Sequence, residues 1–385
     1  MAIGARHSRV PYTVGLVIAG LIIGLVPGHP RIALTPDLVM LVFLPALLFA
    51  GAWTAPLSEM RRHWLPIALL ATLGVLICMA VSWIVLVRFA GLPWQTALLF
   101  GAMVSATDPV AVLAVFRSLN ANRQLAAIVE GESLFNDATA VVAFKVTLLI
   151  SIATTHASAA QPFIEFLELL VGGALVGVVV GLGGLLVLRL TDDYMVEAMG
   201  TLIVAYGSYY VADRLGVSGL IAVIVAGMLV SRVGTQMGSF TTTRRSVNQL
   251  WEFIAFAANS MLFLLVGLSL NLAEMYSTRV ATGWAIAAVA VSRVISVYGL
   301  SGLSALLGHR LAASWQHIFA LGGLRGALSM ALALSLPSGF PQRDLLVSMV
   351  FSVVLFTIIV QGLALAPAIV RLGVQVQPQP QAVRS

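Results

Sequence analysis

The segment Gly101-Ala-Met-Val-Ser-Ala-Thr-Asp-Pro-Val-Ala-Val112 decides the fold. It occupies the centre of an apolar run, residues 94–117, which as a helix is long enough to cross a bilayer. Pro109 has no N–H and its ring clashes with the preceding turn, so the Ser105 carbonyl loses its helical partner. Thr107 and Asp108 sit beside that break. Irregular backbone and a carboxylate at this depth are tolerated only where protein packs around them or a cavity is lined by them. The run therefore reads as a membrane-spanning helix broken at its middle and held inside a larger bundle. Freed carbonyls beside a carboxylate form an oxygen-rich spot suited to a hard cation. For this segment alone, a plain proline kink is the bland alternative.

The rest of the chain agrees with a bundle in lipid. Of 385 residues, 60% are hydrophobic and 9% charged, against roughly 45–50% and 25% in soluble domains. Mean hydropathy is +1.01. Such a chain is neither a soluble enzyme nor disordered. Twelve spans are expected, over residues 11–26, 37–54, 64–90, 94–117, 125–153, 163–190, 194–213, 216–232, 247–270, 280–307, 314–336 and 345–371. The fold class is thus an all-α polytopic membrane protein. Residues 1–371 form one transmembrane domain, and 372–385, with its Gln-Pro repeats, is expected to be a short disordered cytoplasmic tail. Residues 11–26 read as a first span and not as a cleaved signal peptide, because no small-residue cleavage pattern follows.

The net charge of +6 and a pI near 10 do not indicate nucleic acid. The basic residues are scattered through short loops and include a single Lys. They report topology instead. With twelve spans, 13 Arg fall on the side of the termini and 5 on the other. That asymmetry places both termini in the cytoplasm, with the protein in the cell membrane. The lone Cys78 excludes an intrachain disulfide.

Charges inside spans are costly, and each is a functional candidate. These are Asp108, Glu132, Asp137, Lys145, Glu252, Arg293 and Arg325. An ion pair that only fixes packing is the structural alternative for each. Span five opens with Glu130-Gly-Glu-Ser-Leu-Phe-Asn-Asp137. Glu132 and Asn136 share one helix face, and Ser133 and Asp137 the adjacent one. An Asn beside an Asp at this depth has no cheap structural reason. Such a carboxylate can hold a proton or a cation, but not both well. Span eleven carries Ala320-Leu-Gly-Gly-Leu-Arg-Gly-Ala-Leu-Ser329, whose glycines around Arg325 suggest a second interrupted helix. Paired interruptions, one in each half of the chain, point to a transporter binding site. Arg325 would counter the negative helix end exposed at a break. Arg293 needs a carboxylate, with Glu132 the first choice and Glu252 the second. Glu252 lies near a helix start, where an interfacial position is the plain alternative. Lys145 is placed to extend toward the far interface.

These segments together resemble the monovalent cation:proton antiporters of the NhaP and eukaryotic NHE type. The resemblance is carried by Ala106-Thr-Asp-Pro-Val-Ala-Val112, Glu132-Ser-Leu-Phe-Asn-Asp137, Trp251-Glu-Phe-Ile-Ala-Phe-Ala-Ala-Asn-Ser260, Ser292-Arg-Val-Ile-Ser-Val-Tyr298 and Gly322-Gly-Leu-Arg-Gly-Ala327, in the family's order over nearly the whole chain. It implies that Asp137 alternates between proton and Na⁺ or Li⁺. It implies that Asp108, Thr107 and Ser133 supply ligands or their support, so that Asp137, Ser133, Thr107 and Asp108 form the Na⁺ site. Asn136 is the mark of the electroneutral branch, in contrast to the Asp-Asp pair of electrogenic relatives. Glu132 and Arg293 would pair, and Arg325 and Glu252 would support the core. Spans four and eleven would be two crossing, unwound helices of an inverted-repeat fold. A core bundle would move like an elevator against a dimerisation domain, in a homodimer, with no cofactor beyond the transported ions.

Two departures accompany the resemblance. Leu44-Pro-Ala-Leu-Leu-Phe49 is followed by Ala50, where members usually have a Glu that in some helps hold the cation. Members commonly have thirteen spans, and Pro11-Tyr-Thr-Val-Gly-Leu-Val17 resembles the second, so the first, often part of the dimer contact, has no counterpart in this sequence. Exchange of K⁺ for H⁺ is the alternative that Ala50 favours. Two other classes carry little weight. Gly216-Val-Ser-Gly219 is similar to the nucleophile segment of intramembrane serine proteases, but no deep His is available as its base. No repeated pore loop suggests a channel.

Overall fold

The computed structural model describes residues 12–26, 35, 37–152, 161–190, 193–236, 244–269, 272–337 and 339–374. No β-strand forms among the described residues. Helix α1 (Tyr12–Gly24) is followed by a π-helical turn (Leu38–Phe43) that runs into α2 (Leu44–Thr54). A short α3 (Leu57–Arg62) leads to α4 (Trp64–Ala90). The fourth span is split into α5 (Trp94–Met103) and α6 (Val110–Ser118). Then come α7 (Arg123–Ile152), α8 (Gln161–Leu188), α9 (Tyr194–Arg214), α10 (Gly219–Gln236) and α11 (Arg244–Leu268). After a short α12 (Leu272–Ser277) comes α13 (Arg279–Leu306). The eleventh span is split into α14 (Ala313–Leu321) and α15 (Ala327–Leu334). The last is α16 (Arg343–Phe356), a π-helical turn (Thr357–Gln361) and α17 (Gly362–Arg371).

Each of the twelve expected spans meets a helix or a broken pair whose ends differ from it by four residues at most. Five of the helices, and the run Arg343–Arg371 that joins α16, the π-helical turn and α17, are long and apolar enough to cross a membrane. Most of the others are shortened or interrupted, whereas α9 has the length, at 21 residues, but is less apolar. The short α3 and α12 were outside the expected spans; α3 carries Glu59, Arg61 and Arg62 and suits an interface between water and lipid. Of the expected tail, Val374 is buried and its carbonyl accepts from the Asn122 amide at 3.3 Å. Residues 375–385 lie outside the described residues, as do Arg6, Arg9, Arg31 and Arg384 from the topology reading.

The helices sort into two bundles. One contains α1, α2 and α8–α11; the other, the core bundle, contains α4–α7 and α13–α17. In the core bundle α4 runs along α13, and each half repeats the order long helix, broken helix, long helix. Lipid-facing surfaces are apolar: α8 exposes Phe163, Leu167, Val171 and Leu175. Within a bilayer apolar side chains give no preference for helix contact, so tight contacts are built from small residues. Gly20 of α1 and Gly267 of α11 are such a pair, and a Cβ on either would come within 2.2 Å of a backbone oxygen of the other helix.

Candidate functional site

The two breaks cross at the middle of the core bundle. The chain between α5 and α6, residues 104–109, meets the chain between α14 and α15, residues 322–326. The Asp108 amide donates to the Leu324 carbonyl at 2.8 Å. The Ser105 carbonyl, deprived of its helical partner by Pro109, accepts from Arg325 Nη1 at 2.6 Å, and the Ala106 carbonyl accepts from the same nitrogen at 3.2 Å. Arg325 is fully buried. It closes the negative end of one half-helix while belonging to the break in the other, as its charge led one to expect. Its own backbone N–H donates to Thr357 Oγ1 at 3.1 Å, so the π-helical turn of the last span also holds the crossover. Thr357 is a positioning residue that the sequence reading did not identify.

Asn136 and Ser133 of α7 tie the first break from the side. Asn136 Nδ2 donates to Thr107 Oγ1 at 2.7 Å, and Asn136 Oδ1 accepts from the Thr107 amide at 3.3 Å. A side-chain amide carries its donor and its acceptor on separate atoms and does not titrate, so it can hold both Thr107 groups at once. Ser133 Oγ donates to the Thr107 carbonyl. Asp108 turns its Oδ1 toward the Val110 amide at 2.9 Å, satisfying the first turn of α6. Gly326 lies against this side chain, and a Cβ there would fall 2.5 Å from Asp108 Cβ.

Glu132 points to the other side of α7 and forms a buried, two-pronged ion pair with Arg293 of α13. Arg293 Nε also donates to the Phe319 carbonyl in the last turn of α14 at 3.0 Å. The pair thus bolts α7, α13 and the second broken helix together. Glu252 behaves differently from its expected supporting role. It is exposed on α11, in the other bundle, and makes no hydrogen bond or ion pair among the described residues. Lys145 is exposed on α7, away from the crossover. Ser218, the serine of the protease-like segment, opens α10, and its Oγ accepts from the Ile221 amide at 3.5 Å. It acts as a helix cap.

A cavity of about 480 Å³ lies between the two bundles and reaches the crossover. Its core-bundle wall carries Thr107, Asp108, Arg117, Glu130, Ser133 and Asp137. The facing wall is largely apolar, with Leu44, Leu47, Leu48, Ala50, Trp251 and Phe256, interrupted by Glu252 and Asn259. Asp137 is half-buried there and makes no hydrogen bond or ion pair among the described residues. The Thr107 carbonyl and Ser133 hydroxyl each keep a free lone pair beside it. Oxygen donors of this kind suit a hard cation that has shed part of its water. Glu130 and Arg117 are cavity residues that the sequence reading passed over. The seven-residue spacing from Glu130 to Asp137, two helical turns on one face, was the available signal.

Comparison with known proteins agrees with this architecture. A family model described as "Sodium/hydrogen exchanger, transmembrane" matches residues 1–371. The chain is 40% identical over 373 residues to the Na⁺/H⁺ antiporter ApNhaP of Aphanothece halophytica, covering 96% of this chain and 71% of that protein. It is 38% identical over 396 aligned residues to the Na⁺/H⁺ antiporter NhaP of Pseudomonas aeruginosa, covering 95% and 92%. The fold is shared with the sodium proton antiporter MjNhaP1 of Methanocaldococcus jannaschii, with a TM-score of 0.78 at 22% identity over 96% of this chain and 94% of that one. The broken pair in each half of the chain, the Asn136-Asp137 pair beside the crossover and these likenesses place the chain in the transmembrane sodium/hydrogen exchanger family.

Proposed function

We propose that this protein exchanges Na⁺ or Li⁺ for H⁺ across the cell membrane, one for one, with Asp137 as the carboxylate that the two ions share in turn. The observation that carries this reading is Asp137 itself: an intramembrane carboxylate facing a cavity, with no protein partner among the described residues. A bare charge there is costly to move through the low-dielectric interior. Either a proton or a monovalent cation removes that cost. The two ions therefore exclude each other, which is the coupling an antiporter needs. The relatives named Na⁺/H⁺ antiporters support the choice of ions.

Charge balance supports electroneutrality. At the crossover three acids, Asp108, Glu132 and Asp137, face two bases, Arg293 and Arg325. The empty site carries one net negative charge, and a single Na⁺ or a single proton neutralises it. The loaded forms are alike in charge, and the empty form is disfavoured from crossing. The largely apolar facing wall supports an elevator-like movement, because the core bundle can slide along it without breaking polar contacts. In this reading the protein works as a homodimer with both termini in the cytoplasm, the cavity faces the cytoplasm, and the two ion gradients supply the energy without a cofactor. Asp108, Thr107, Ser133 and Asn136 complete or brace the cation site.

The test is proton flux in liposomes with an imposed pH gradient. Addition of Na⁺ or Li⁺ dissipates the gradient if the reading is right. Dissipation by K⁺ alone keeps the mechanism and changes the substrate, a reading that Ala50 favours. No response to any of the three ions overturns the proposal. Ala50 lines the cavity on α2, so Ala50→Glu adds a carboxylate to the cation path. The half-saturating Na⁺ concentration is expected to fall by a factor of about 2–10, the effect of one further charge several ångströms away in a partly hydrated site. An unchanged or raised value would show that position 50 does not face the bound ion.

A further inference from the structure

Between Asp137 and the end of the cavity lies a second carboxylate that the exchange cycle does not use. Glu130 is on the same face of α7, seven residues and about 10 Å along the helix from Asp137. It lines the same cavity and is half-buried. Among the described residues it forms neither a hydrogen bond nor an ion pair. The charges that face it from the elements around the cavity are Arg117 in the last turn of α6, Glu252 on α11, and Asp108 and Asp137 deeper in. Arg117 is exposed and the one base among them, and its field reaches Glu130. Tyr12, Arg117, Glu130 and Glu252 all lie toward the ends of their helices that the Arg distribution assigns to the cytoplasm, with Asp137 deeper along α7. Glu130 thus stands where an ion entering the cavity passes on its way to Asp137.

We propose that Glu130 is the entrance carboxylate of the transport path, raising the local concentration of monovalent cations above Asp137, and that Arg117 tempers it from the opposite lip. This rests on the reading of Asp137 as the shared carboxylate. Because Glu130 forms no ion pair with Arg117 among the described residues, its attraction for a cation is not cancelled. A charge about 10 Å from the bound ion changes its occupancy by a factor of about 2 in bulk-like water and about 15 at the effective dielectric of a protein surface.

The experiment is a Na⁺ titration of wild type, Glu130→Gln and Arg117→Gln by two methods. Proton flux in liposomes gives KM and kcat separately. Na⁺-dependent thermal stabilisation of the purified protein gives half-saturation without transport. Glu130→Gln is expected to raise KM and the half-saturating concentration by about 2- to 15-fold, and Arg117→Gln to lower both. The double variant is expected to lie between them. All of these differences shrink when choline chloride is raised to about 1 M, because the screening length falls to about 3 Å. A purely structural role would move both variants in the same direction and would not respond to an inert salt. Changes of the same sign, no change in either variant, or effects indifferent to choline chloride overturn the proposal. If Glu130→Gln does not fold, Arg117→Gln alone decides by the sign of its shift. A wild type that binds Na⁺ without moving protons defeats the exchange reading and leaves the Glu130 comparison measurable. A wild type stabilised by none of Na⁺, Li⁺ and K⁺ defeats both.

Discussion

Replacing Asp137 by Asn is expected to abolish cation-driven proton flux while leaving the protein folded. The amide has the same shape but neither a titratable proton nor a charge to balance a cation. Removing one unit charge about 4 Å from the ion forfeits about 4 kcal/mol at an effective dielectric of 20, on the order of a thousandfold in affinity. The fold does not depend on this carboxylate, because Asp137 makes no hydrogen bond or ion pair among the described residues. Asn also removes the cost of an unpaired charge at membrane depth. The thermal midpoint of the variant in detergent is therefore expected to equal or exceed that of wild type. Liposome flux and a melting curve on the same preparation check both halves. Retained Na⁺-coupled flux would move the shared site elsewhere, with Asp108 the next carboxylate in the cavity.

Breaking the Glu132–Arg293 pair is expected to have the opposite signature, with stability falling first. Arg293→Gln leaves Glu132 buried without its partner, and Glu132→Gln does the same to Arg293. Loss of one member of a buried pair costs about 3–5 kcal/mol, because the survivor keeps its desolvation penalty and loses its compensation. The midpoint of thermal unfolding is expected to fall by on the order of 5–10 °C in either single variant. Replacing both, as Glu132→Leu with Arg293→Met, removes both charges together and is expected to recover a good part of the loss. Recovery remains incomplete because Arg293 Nε also holds the Phe319 carbonyl. Single variants as stable as wild type, or a double variant as unstable as the two losses combined, would show that the pair is not a coupled unit.

The different outcomes expected for these two acidic residues follow from three helix positions on α7. Asp137 and Glu132 are five residues apart, so they point to different sides of the helix. Glu132 meets α13, and Asp137 meets the cavity. Glu130, seven residues before Asp137, returns to the cavity side. One helix therefore carries the bolt of the core, the proposed shared site and the proposed entrance.

Much of this was written in local chemistry. Apolar runs of about 20 residues declare spans wherever they are folded, since each must satisfy its backbone internally in lipid. Pro109 announces a break because its missing N–H acts on its own helix. Glu132 was the foremost partner for Arg293 because a guanidinium in a span has few carboxylates available. The Asn136-Asp137 pair stood out for the same reason of cost. What the chain could not announce are contacts between residues far apart in it. The Ser105 carbonyl was known to be free, but its acceptance from Arg325, 220 positions away, required the two breaks to cross. Thr357 joins that crossover only because a π-helical turn carries its hydroxyl to the Arg325 amide. Glu252 has the same composition signal as Glu132, yet it stands on the wall of the other bundle. Sequence determined the spans, the breaks and the acids that lipid makes expensive, because those are energies of a residue with its own helix and solvent. Tertiary structure alone decided which of the acids are paired and which face the cavity, because pairing and access depend on how two bundles are set against each other.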